Sequence, residues 1–381
     1  MDFELGEDQI LMRDAAREFA EKKLMPIAEK MDEDEAIPPE IFKELGELGY
    51  CGMLVPEKYG GLDLDLLSVT CVLEEIARGS AGLELGLSVH NNLCCAAVLD
   101  YGSKYLKDKY LERMASGELY GAYCLSEPES GTDAGSLSCF AEEKGDKFVL
   151  NGTKSWVTSA GVAGIFIVFA RTDKDAGPKG ISCFIVEKDT PGLKLGPKER
   201  LLGIKPSDTR DVIFENCEIP KENLIGEKNM GFKIALSLLN AGRIGAAAQA
   251  LGIAQAAYEE AYKYAQEREQ FDQPIANFQI IQFKLADMAM KIEAARLMTY
   301  SAAWNRQKYG EKAAKQCSMA KLFASETANW VANQALQIHG GYGYVKEYPV
   351  ERYFRDARVT EIGEGTSDAQ RMVIYRNLGK K

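Results

Sequence analysis

Near the C-terminal end of the sequence, Glu364 stands between two glycines in Glu361-Ile362-Gly363-Glu364-Gly365-Thr366-Ser367-Asp368. Glycines let a backbone approach a ligand closely, because no Cβ stands in the way. Thr366 and Ser367 open a last helical run through Tyr375; a hydroxyl there caps the helix, and the free amides attract oxyanions. The stretch combines a carboxylate, hydrogen-bond donors and room for a flat ligand, which a general base needs to take a proton from a carbon beside a carbonyl. A lone acid in that place also sits favourably at the positive end of a helix dipole, with no chemistry implied. The sequence holds two histidines, His90 and His339, and nine cysteines with no CxxC spacing. A histidine-based metal site or a histidine-dependent triad is therefore poorly supported. Chemistry is expected from carboxylate, hydroxyl, backbone and a cofactor, without a metal.

The elements that position this stretch can be read from composition and period. The chain has 381 residues, 46% hydrophobic and 27% charged, which suits a folded protein of two or three domains. Lysine plus arginine number 46 against 57 acidic residues, a formal charge of −11. With no basic cluster to offset it, such a surface repels nucleic acid and anionic membranes. The acidic start, Met1-Asp2-Phe3-Glu4-Leu5-Gly6-Glu7-Asp8, is unlike a transit peptide, and the longest apolar run, Gly161 to Ala170, is too short to span a bilayer. The expected location is the cytoplasm of a bacterial cell, or the mitochondrial matrix for a processed eukaryotic form. The scattered cysteines read as buried reduced thiols.

Residues 1–120 carry helical periodicity. Ile10, Leu11, Ala15, Phe19 and Leu24 fall at helical spacing, Pro38-Pro39 starts a helix through Leu45, and Leu66 to Arg78 and Ser88 to Tyr101 are apolar helical stretches. Met31-Asp32-Glu33-Asp34-Glu35 reads as a solvated loop. The period changes near Gly121. Lys147 to Trp156 reads as strand, Asn151-Gly152 turn, strand, because both residues of an Asn-Gly turn adopt positive φ. Ile165 to Phe169, Ile181 to Val186 and Val212 to Phe214 add short strands, giving a mostly antiparallel β domain over 121–230. Over 231–381 the runs Ile234 to Arg268, Phe278 to Tyr309 and Glu311 to His339 are long enough for a helical bundle. The fold class is α+β, with a β domain between two helical ones.

Four separated stretches then coincide: Tyr123-Cys124-Leu125-Ser126-Glu127-Pro128-Glu129-Ser130-Gly131-Thr132-Asp133, Arg268-Glu269-Gln270-Phe271, Gln337-Ile338-His339-Gly340-Gly341-Tyr342-Gly343-Tyr344, and Glu361 to Asp368. In this order and spacing they resemble the acyl-CoA dehydrogenase family over essentially the whole chain. The resemblance implies an N-terminal helical domain, a central antiparallel β-barrel-like domain and a C-terminal four-helix bundle. It also implies FAD, an acyl-CoA substrate, a homotetramer built as a dimer of dimers, and electron-transferring flavoprotein as the onward acceptor. By position, Tyr123, Leu125, Ser126, Gly131 and Thr132 resemble the loop that holds the flavin ring, with Thr132 also at the substrate; the alternative is a polar turn opening the β domain. Trp156 and Thr158 resemble the wall against the isoalloxazine, the alternative being an ordinary buried tryptophan. Arg268 resembles the residue that reaches the FAD pyrophosphate of a neighbouring subunit, where a guanidinium pairs with phosphate oxygens by parallel bonds. Phe271, Gln279, Gln337, Gly340 and Gly341 resemble further contacts to that nucleotide, and Thr366 and Ser367 resemble cofactor contacts beside the base. Asn240 and Arg243 stand where relatives contact the CoA end of the substrate; for Arg243 the alternative is a helix-surface salt bridge.

Glu364 falls on the family's catalytic base. Some relatives place the base just before the arginine at 243, where this chain has Gly242. The implied reaction is α,β-dehydrogenation of an acyl-CoA to the 2-enoyl-CoA. Glu364 takes the α-proton, a β-hydride goes to flavin N5, and the Glu364 N–H with a ribityl hydroxyl stabilises the enolate-like oxygen. Closing a dry site over Glu364 raises its pKa toward neutral. Gly363 and Gly365 are expected at the substrate. Gly363 stands where many straight-chain relatives carry tyrosine, so the pocket is wider at the α and β carbons and favours a branched, alicyclic or aryl-substituted acyl group over a slim chain; the substrate is expected to be a short, branched or alicyclic acyl-CoA. Asn91 and Cys95, on the helix from Ser88, are expected to line that pocket. Glu84 stands where glutaryl-CoA enzymes carry an arginine, which disfavours a dicarboxylyl substrate. The alternatives are the reductive direction, an acyl-CoA oxidase, and a non-catalytic flavoprotein scaffold.

Overall fold

The computed structural model describes residues 4–379, so Met1 to Phe3 of the acidic start lie outside the described residues. The N-terminal part is helical: α1 (Glu7–Phe19), α2 (Ala28–Asp34), α3 (Pro39–Glu47), α4 (Leu66–Gly79), α5 (Ala81–Ser88), α6 (Ala96–Tyr101) and α7 (Lys104–Ala115). A wider π-helical segment, Val89–Cys95, joins α5 to α6 without a break. Asp65, Ser80 and Ser103 cap α4, α5 and α7 by accepting bonds from the amides of Ser68, Leu83 and Leu106. One expectation fails here. The acidic run at 31–35 is not a solvated loop, because α2 carries it through Asp34 and buries Met31 and Asp32. Asp32 accepts two bonds from Arg355, at 3.1 and 2.7 Å, and this distant guanidinium offsets the cost of burying the carboxylate.

The β domain comprises β1 (Gly121–Cys124), β2 (Phe140–Lys144), β3 (Lys147–Val157), β4 (Ile165–Arg171), β5 (Ile181–Glu187), β6 (Leu193–Lys198), β7 (Arg210–Pro220) and β8 (Leu224–Ile225). The sheet order is β6-β7-β3-β2-β4-β5-β8, with β1 beside β4. Pairing is antiparallel except for β1 with β4 and a short contact of β2 with β4. Both faces of β4 are buried: Ile165, Ile167 and Phe169 join a core shared with the N-terminal helices, while Phe166, Val168 and Ala170 fill the interior of the sheet. That double burial accounts for the unbroken apolar run.

The Asn151-Gly152 hairpin is corrected. β3 runs straight through both residues, and the sheet register shifts between Leu150 and Gly152. Gly152 has a φ of 142°, and a Cβ there would lie 2.7 Å from the Cys139 Cα, so the glycine serves a bulge and a close strand approach. Asn151 Oδ1 accepts the Asn216 N–H at 2.8 Å. The actual turn is Gly145-Asp146, between the paired Lys144 and Lys147, with Gly145 at a φ of 61°.

The C-terminal part holds α8 (Gly231–Glu267), a small hairpin of β9 (Glu269–Gln270) and β10 (Gln273–Pro274), α9 (Gln279–Tyr309), α10 (Ala314–His339), α11 (Val350–Thr360) and α12 (Ser367–Arg376). The three long helices pack on one another, α11 packs on α8 and α10, and α4 docks onto α8. Among the described residues one helix, α8, is long and apolar enough to cross a membrane, a property the search for uninterrupted apolar runs missed. Most of it is buried inside the fold, as befits a core helix. On α9 Leu285, Met288, Ile292 and Ala295 are buried and Ile281 and Met298 half-buried, whereas Ile280, Phe283, Met290, Leu297 and Trp304 are exposed on the other side. The nine cysteines are free and buried.

Candidate active site

The Glu364 loop hangs between α11 and α12. Its backbone is left-handed at two successive residues, with φ 56° at Glu364 and 92° at Gly365. For a non-glycine residue such a conformation costs on the order of 1–3 kcal/mol and persists only where the surroundings enforce it. Gln370 Nε2 donates to the carbonyls of Glu364 and Gly365, both at 2.9 Å. Lys321 Nζ donates to the Gly365 carbonyl at 2.8 Å, and Thr366 Oγ1 caps α12 by accepting the Ala369 N–H at 3.2 Å. Lys321 and Gln370 are both buried. Neither was singled out in the sequence; a lysine in the apolar run Met319-Ala320-Lys321-Leu322-Phe323 was the available signal.

The Glu364 carboxylate points at α8. A Cβ on Gly242 would lie 2.4 Å from Glu364 Oε2, so the glycine leaves room for the carboxylate as it is placed, and the two positions address one space. Oε2 is closed to solvent and has no hydrogen-bond partner. Burial pushes the Glu364 carboxyl up to about 7, against the opposing pull of Arg243 and Lys321. A base acts only when deprotonated. For a substrate without a titrating group, kcat/KM is thus expected to rise about tenfold per pH unit below 7 and to level off above it. A break near the ordinary carboxylate value of 4.5 in the measured profile would show Glu364 to be solvated in the free enzyme.

Other polar groups in this space also lack partners. Arg243 is only 8% exposed, so it is not a surface salt bridge. Its Nη1 donates to Asn240 Oδ1 at 2.8 Å, Nε has no partner, and burial lowers its pKa. Tyr123 on β1 lies 5.1 Å from Phe169, ring to ring, with its hydroxyl unpaired. Its pKa is raised, by burial first and by Glu364 among its charged neighbours. Asn92 Oδ1 and Ser367 Oγ are unpaired as well. Buried polar atoms without partners are rare in folded proteins, and a group of them around one acid marks ligand space.

Two expected pocket residues are corrected. Asn91 spends its amide on Tyr50 O and Leu87 O and its oxygen on Met53 N. The Cys95 thiol faces Cys51 O and His90. Both belong to the core of the N-terminal helices. The face toward α8 is Ser88, Asn92 and Leu93, since a Cβ on Gly245 would strike Ser88 Oγ and Asn92 Nδ2 and one on Gly242 would meet Leu93. Asn91 and Cys95 thus lie on the stripe of this segment turned away from α8.

The loop at 123–132 is anchored from behind. Lys154 Nζ donates to Leu125 O at 3.1 Å and pairs with Glu127 at 2.7 Å, the two side chains being 0% and 2% exposed. Glu127 also takes the amides of Ser138 and Cys139, and Ser126 O accepts the Ser155 N–H at 2.9 Å. These bonds hold the segment open: Gly131 and Thr132 are exposed, and no atom lies within 4 Å of a Cβ placed on Gly131. Trp156 is not a buried tryptophan; it is 64% exposed at a φ of 59°. The strained, bared indole of Trp156 and the anchored loop with its unpaired Tyr123 hydroxyl are chemically suited to a flat ring such as the FAD isoalloxazine. Lys154 and Glu127 were missed because a buried pair is invisible without the fold.

The other expected nucleotide contacts, Arg268, Phe271, Gln279, Gln337, Gly340 and Gly341, lie at the end of α8, on the β9–β10 hairpin, at the start of α9 and at the end of α10 with the turn that follows it. The Arg268 guanidinium lies 5.3 Å from the Tyr342 ring centroid. Phe271 is 87% exposed at the tip of the β9–β10 hairpin, and Gln279, Gln337, Gly340 and Gly341 are exposed as well. No atom lies within 4 Å of a Cβ on Gly340 or Gly341. Among the described residues, no hydrogen bond, ion pair or ring contact joins this group to the Glu364 group. Two surface clefts of about 480 and 330 Å³, around Asn216 and around Phe42, are lined by neither group.

Comparison with known proteins agrees with this geometry. The N-terminal, middle and C-terminal domains of acyl-CoA dehydrogenase match residues 6–118, 122–217 and 229–379. A mitochondrial short-chain specific acyl-CoA dehydrogenase of Rattus norvegicus is 50% identical over 98% of this chain and 91% of its own. A 3-(aryl)acrylate reductase of Clostridium sporogenes is 47% identical over 98% of this chain and 99% of its own. A solved chain described with the electron transferring flavoprotein of Acidaminococcus fermentans is 46% identical, with a TM-score of 0.97 over 100% of both chains. These matches run along the whole length: the chain belongs to the acyl-CoA dehydrogenase family of FAD-bearing oxidoreductases.

Proposed function

We propose that this chain dehydrogenates a short branched, alicyclic or aryl-bearing acyl-CoA to the 2-enoyl-CoA, with Glu364 as the α-proton base. The observation that carries the reading is Glu364 Oε2, closed to solvent, without a partner and aimed at Gly242. The thioester lies between the 361–367 loop and the cradle of Tyr123, Leu125, Ser126, Gly131, Thr132, Trp156 and Thr158. No backbone hydrogen bond among the described residues uses the Glu364 N–H, which leaves it free to donate to the thioester oxygen as negative charge grows there. Glu364 then takes the α-proton within the dry site. Bound FAD supplies the acceptor for the two electrons that leave the β-carbon with its hydrogen. Arg243 and Asn240 hold the CoA side of the substrate, and the unpaired Arg243 Nε suits an oxygen ligand. Thr366 and Ser367 sit at the mouth beside the cofactor.

Two observations support the acyl class. Gly363 leaves open space, since a Cβ there would meet only Val359 O at 3.6 Å. The relatives named above act, by their names, on short-chain acyl-CoA and on 3-(aryl)acrylates. The second name also favours the reductive direction as an alternative for this site. Gly363→Tyr is expected to shift kcat/KM by about tenfold or more away from cyclic and branched acyl-CoAs toward butyryl-CoA, because overpacking a fitted site costs about 1–3 kcal/mol. A substrate-panel ratio that does not move would reject the pocket reading; a general folding defect lowers both numbers and leaves the ratio alone.

An electron-transferring flavoprotein as the onward acceptor is supported by the Acidaminococcus structure. Self-association into a homotetramer, a dimer of dimers, is supported by the exposed apolar side of α9 and by the open Arg268 group, which reads as half of a nucleotide site. The mitochondrial rat relative and the clostridial one are compatible with the proposed location, cytoplasm or matrix.

A further inference from the structure

We propose that Glu84 closes the far end of the acyl pocket and selects an acyl group that carries a hydroxyl there, a substrate class that deepens the proposed function and rests on it. Glu84 lies on α5 and is 0% exposed. Neither of its carboxylate oxygens has a close hydrogen-bond partner, and no ion pair among the described residues includes it. Gln249 on α8 gives one amide hydrogen to Ala81 O at 2.9 Å, and the pull of its amide on Glu84 is outweighed by burial. An unpaired buried polar group costs about 1–3 kcal/mol, so a carboxyl left bare on both oxygens is expected to meet its partner in a ligand.

The placement points to the acyl tail. Gly242 on α8 borders the Glu364 carboxylate, and Gln249, two turns further along the same helix, borders Glu84. Two turns span roughly 10 Å, the reach of a short acyl group beyond its α-carbon. Glu84 and Glu364 lie within electrostatic reach of each other, and so does Tyr120, whose buried hydroxyl has no partner. The groups that act on Glu84 are Gln249 and Glu364, with no cation among them.

The charge state indicates what kind of partner fits. Burial above all, and the like charge of Glu364, hold the Glu84 carboxyl well above the carboxylate range. A neutral carboxyl both donates and accepts, and so does a hydroxyl. A second carboxylate on the substrate would meet two acids and no base, and a bare hydrocarbon would leave Glu84 unpaired. Sites built to hydrogen-bond a substrate hydroxyl discriminate strongly against the analogue that lacks it.

The test uses the holoenzyme and two matched pairs: phenylpropanoyl-CoA with its para-hydroxyphenyl counterpart, and hexanoyl-CoA with its omega-hydroxy counterpart. Kd is read from the ligand-induced shift of the flavin spectrum in a Glu364→Gln background, and kcat/KM in the background with Glu364 intact. The hydroxylated member of at least one pair is expected to bind about tenfold tighter or more. Glu84→Met should abolish that ratio, and Glu84→Gln, which can still donate and accept, should keep it. The Tm of Glu84→Met should equal or exceed that of wild type, because an unpaired polar group has been removed. Equal affinities within both pairs would mean that water alone satisfies Glu84, and would overturn the inference, as would an unchanged ratio in Glu84→Met or a marked fall in its Tm. Correct ratios without turnover would reject the dehydrogenation reading and leave Glu84 in place; turnover without the ratios would do the reverse.

Discussion

Glu364→Gln is expected to lower kcat by at least a hundred- to ten-thousandfold, the usual contribution of a general base, while FAD content and acyl-CoA affinity stay near wild type. Glutamine fills the same volume beside Gly242, so the fit of α8 against the loop is preserved. The loop itself is held by bonds to the carbonyls of Glu364 and Gly365, none of which involves the carboxylate. Only the capacity to take a proton is lost. Steady-state kinetics with a spectral titration of acyl-CoA binding separate the two effects. A variant that kept most of its turnover would place the base elsewhere, with Glu84, a buried acid that burial pushes well above the ordinary carboxylate range, the next to test.

Arg268→Ala should release flavin and weaken the oligomer together. The side chain is half-buried, lies over Tyr342 and has no ion-pair partner among the described residues. Its neighbours Phe271 and Tyr344 are among the most exposed aromatics of the chain, at 87% and 86%. A guanidinium and bare rings at one end of a helical bundle fit the pyrophosphate of a nucleotide bound by an adjoining copy. Losing one partner of a sheltered charge-assisted pair costs a few kcal/mol, which is about a hundredfold in affinity. Flavin content after gel filtration and the mass of the eluting species measure both effects. Full flavin content in an intact oligomer would make Arg268 an ordinary surface charge.

What the sequence disclosed and what it hid divide along the range of the interactions. The helix–β–helix order follows from local period, and Glu364 is legible because its flanking glycines and the cap at Thr366 are adjacent in the chain. Asn151-Gly152 misled because a bulge and a turn make the same demand on φ; only the approach of Cys139 separates them. Asp32 reads as solvated until Arg355 is placed beside it. Asn91 and Cys95 lie one stripe away from Ser88 and Asn92, and periodicity alone does not say which stripe faces α8. Lys154, Glu127 and Lys321 act through buried bonds to other elements, so nothing near them in the chain announces their roles. Trp156 was placed by resemblance, and its exposure contradicts the bland reading that burial in a sheet would otherwise favour.

The most direct test of Glu364 as the base of a flavin-dependent dehydrogenation is anaerobic mixing of the purified protein with an acyl-CoA panel, followed by flavin absorbance. The protein should be yellow as purified or after reconstitution with FAD. At least one branched, alicyclic or aryl-bearing acyl-CoA should bleach it in a single turnover, while Glu364→Gln shows a binding shift without bleaching. A protein that takes up no FAD, or a Glu364→Gln variant that bleaches at the wild-type rate, would contradict the account.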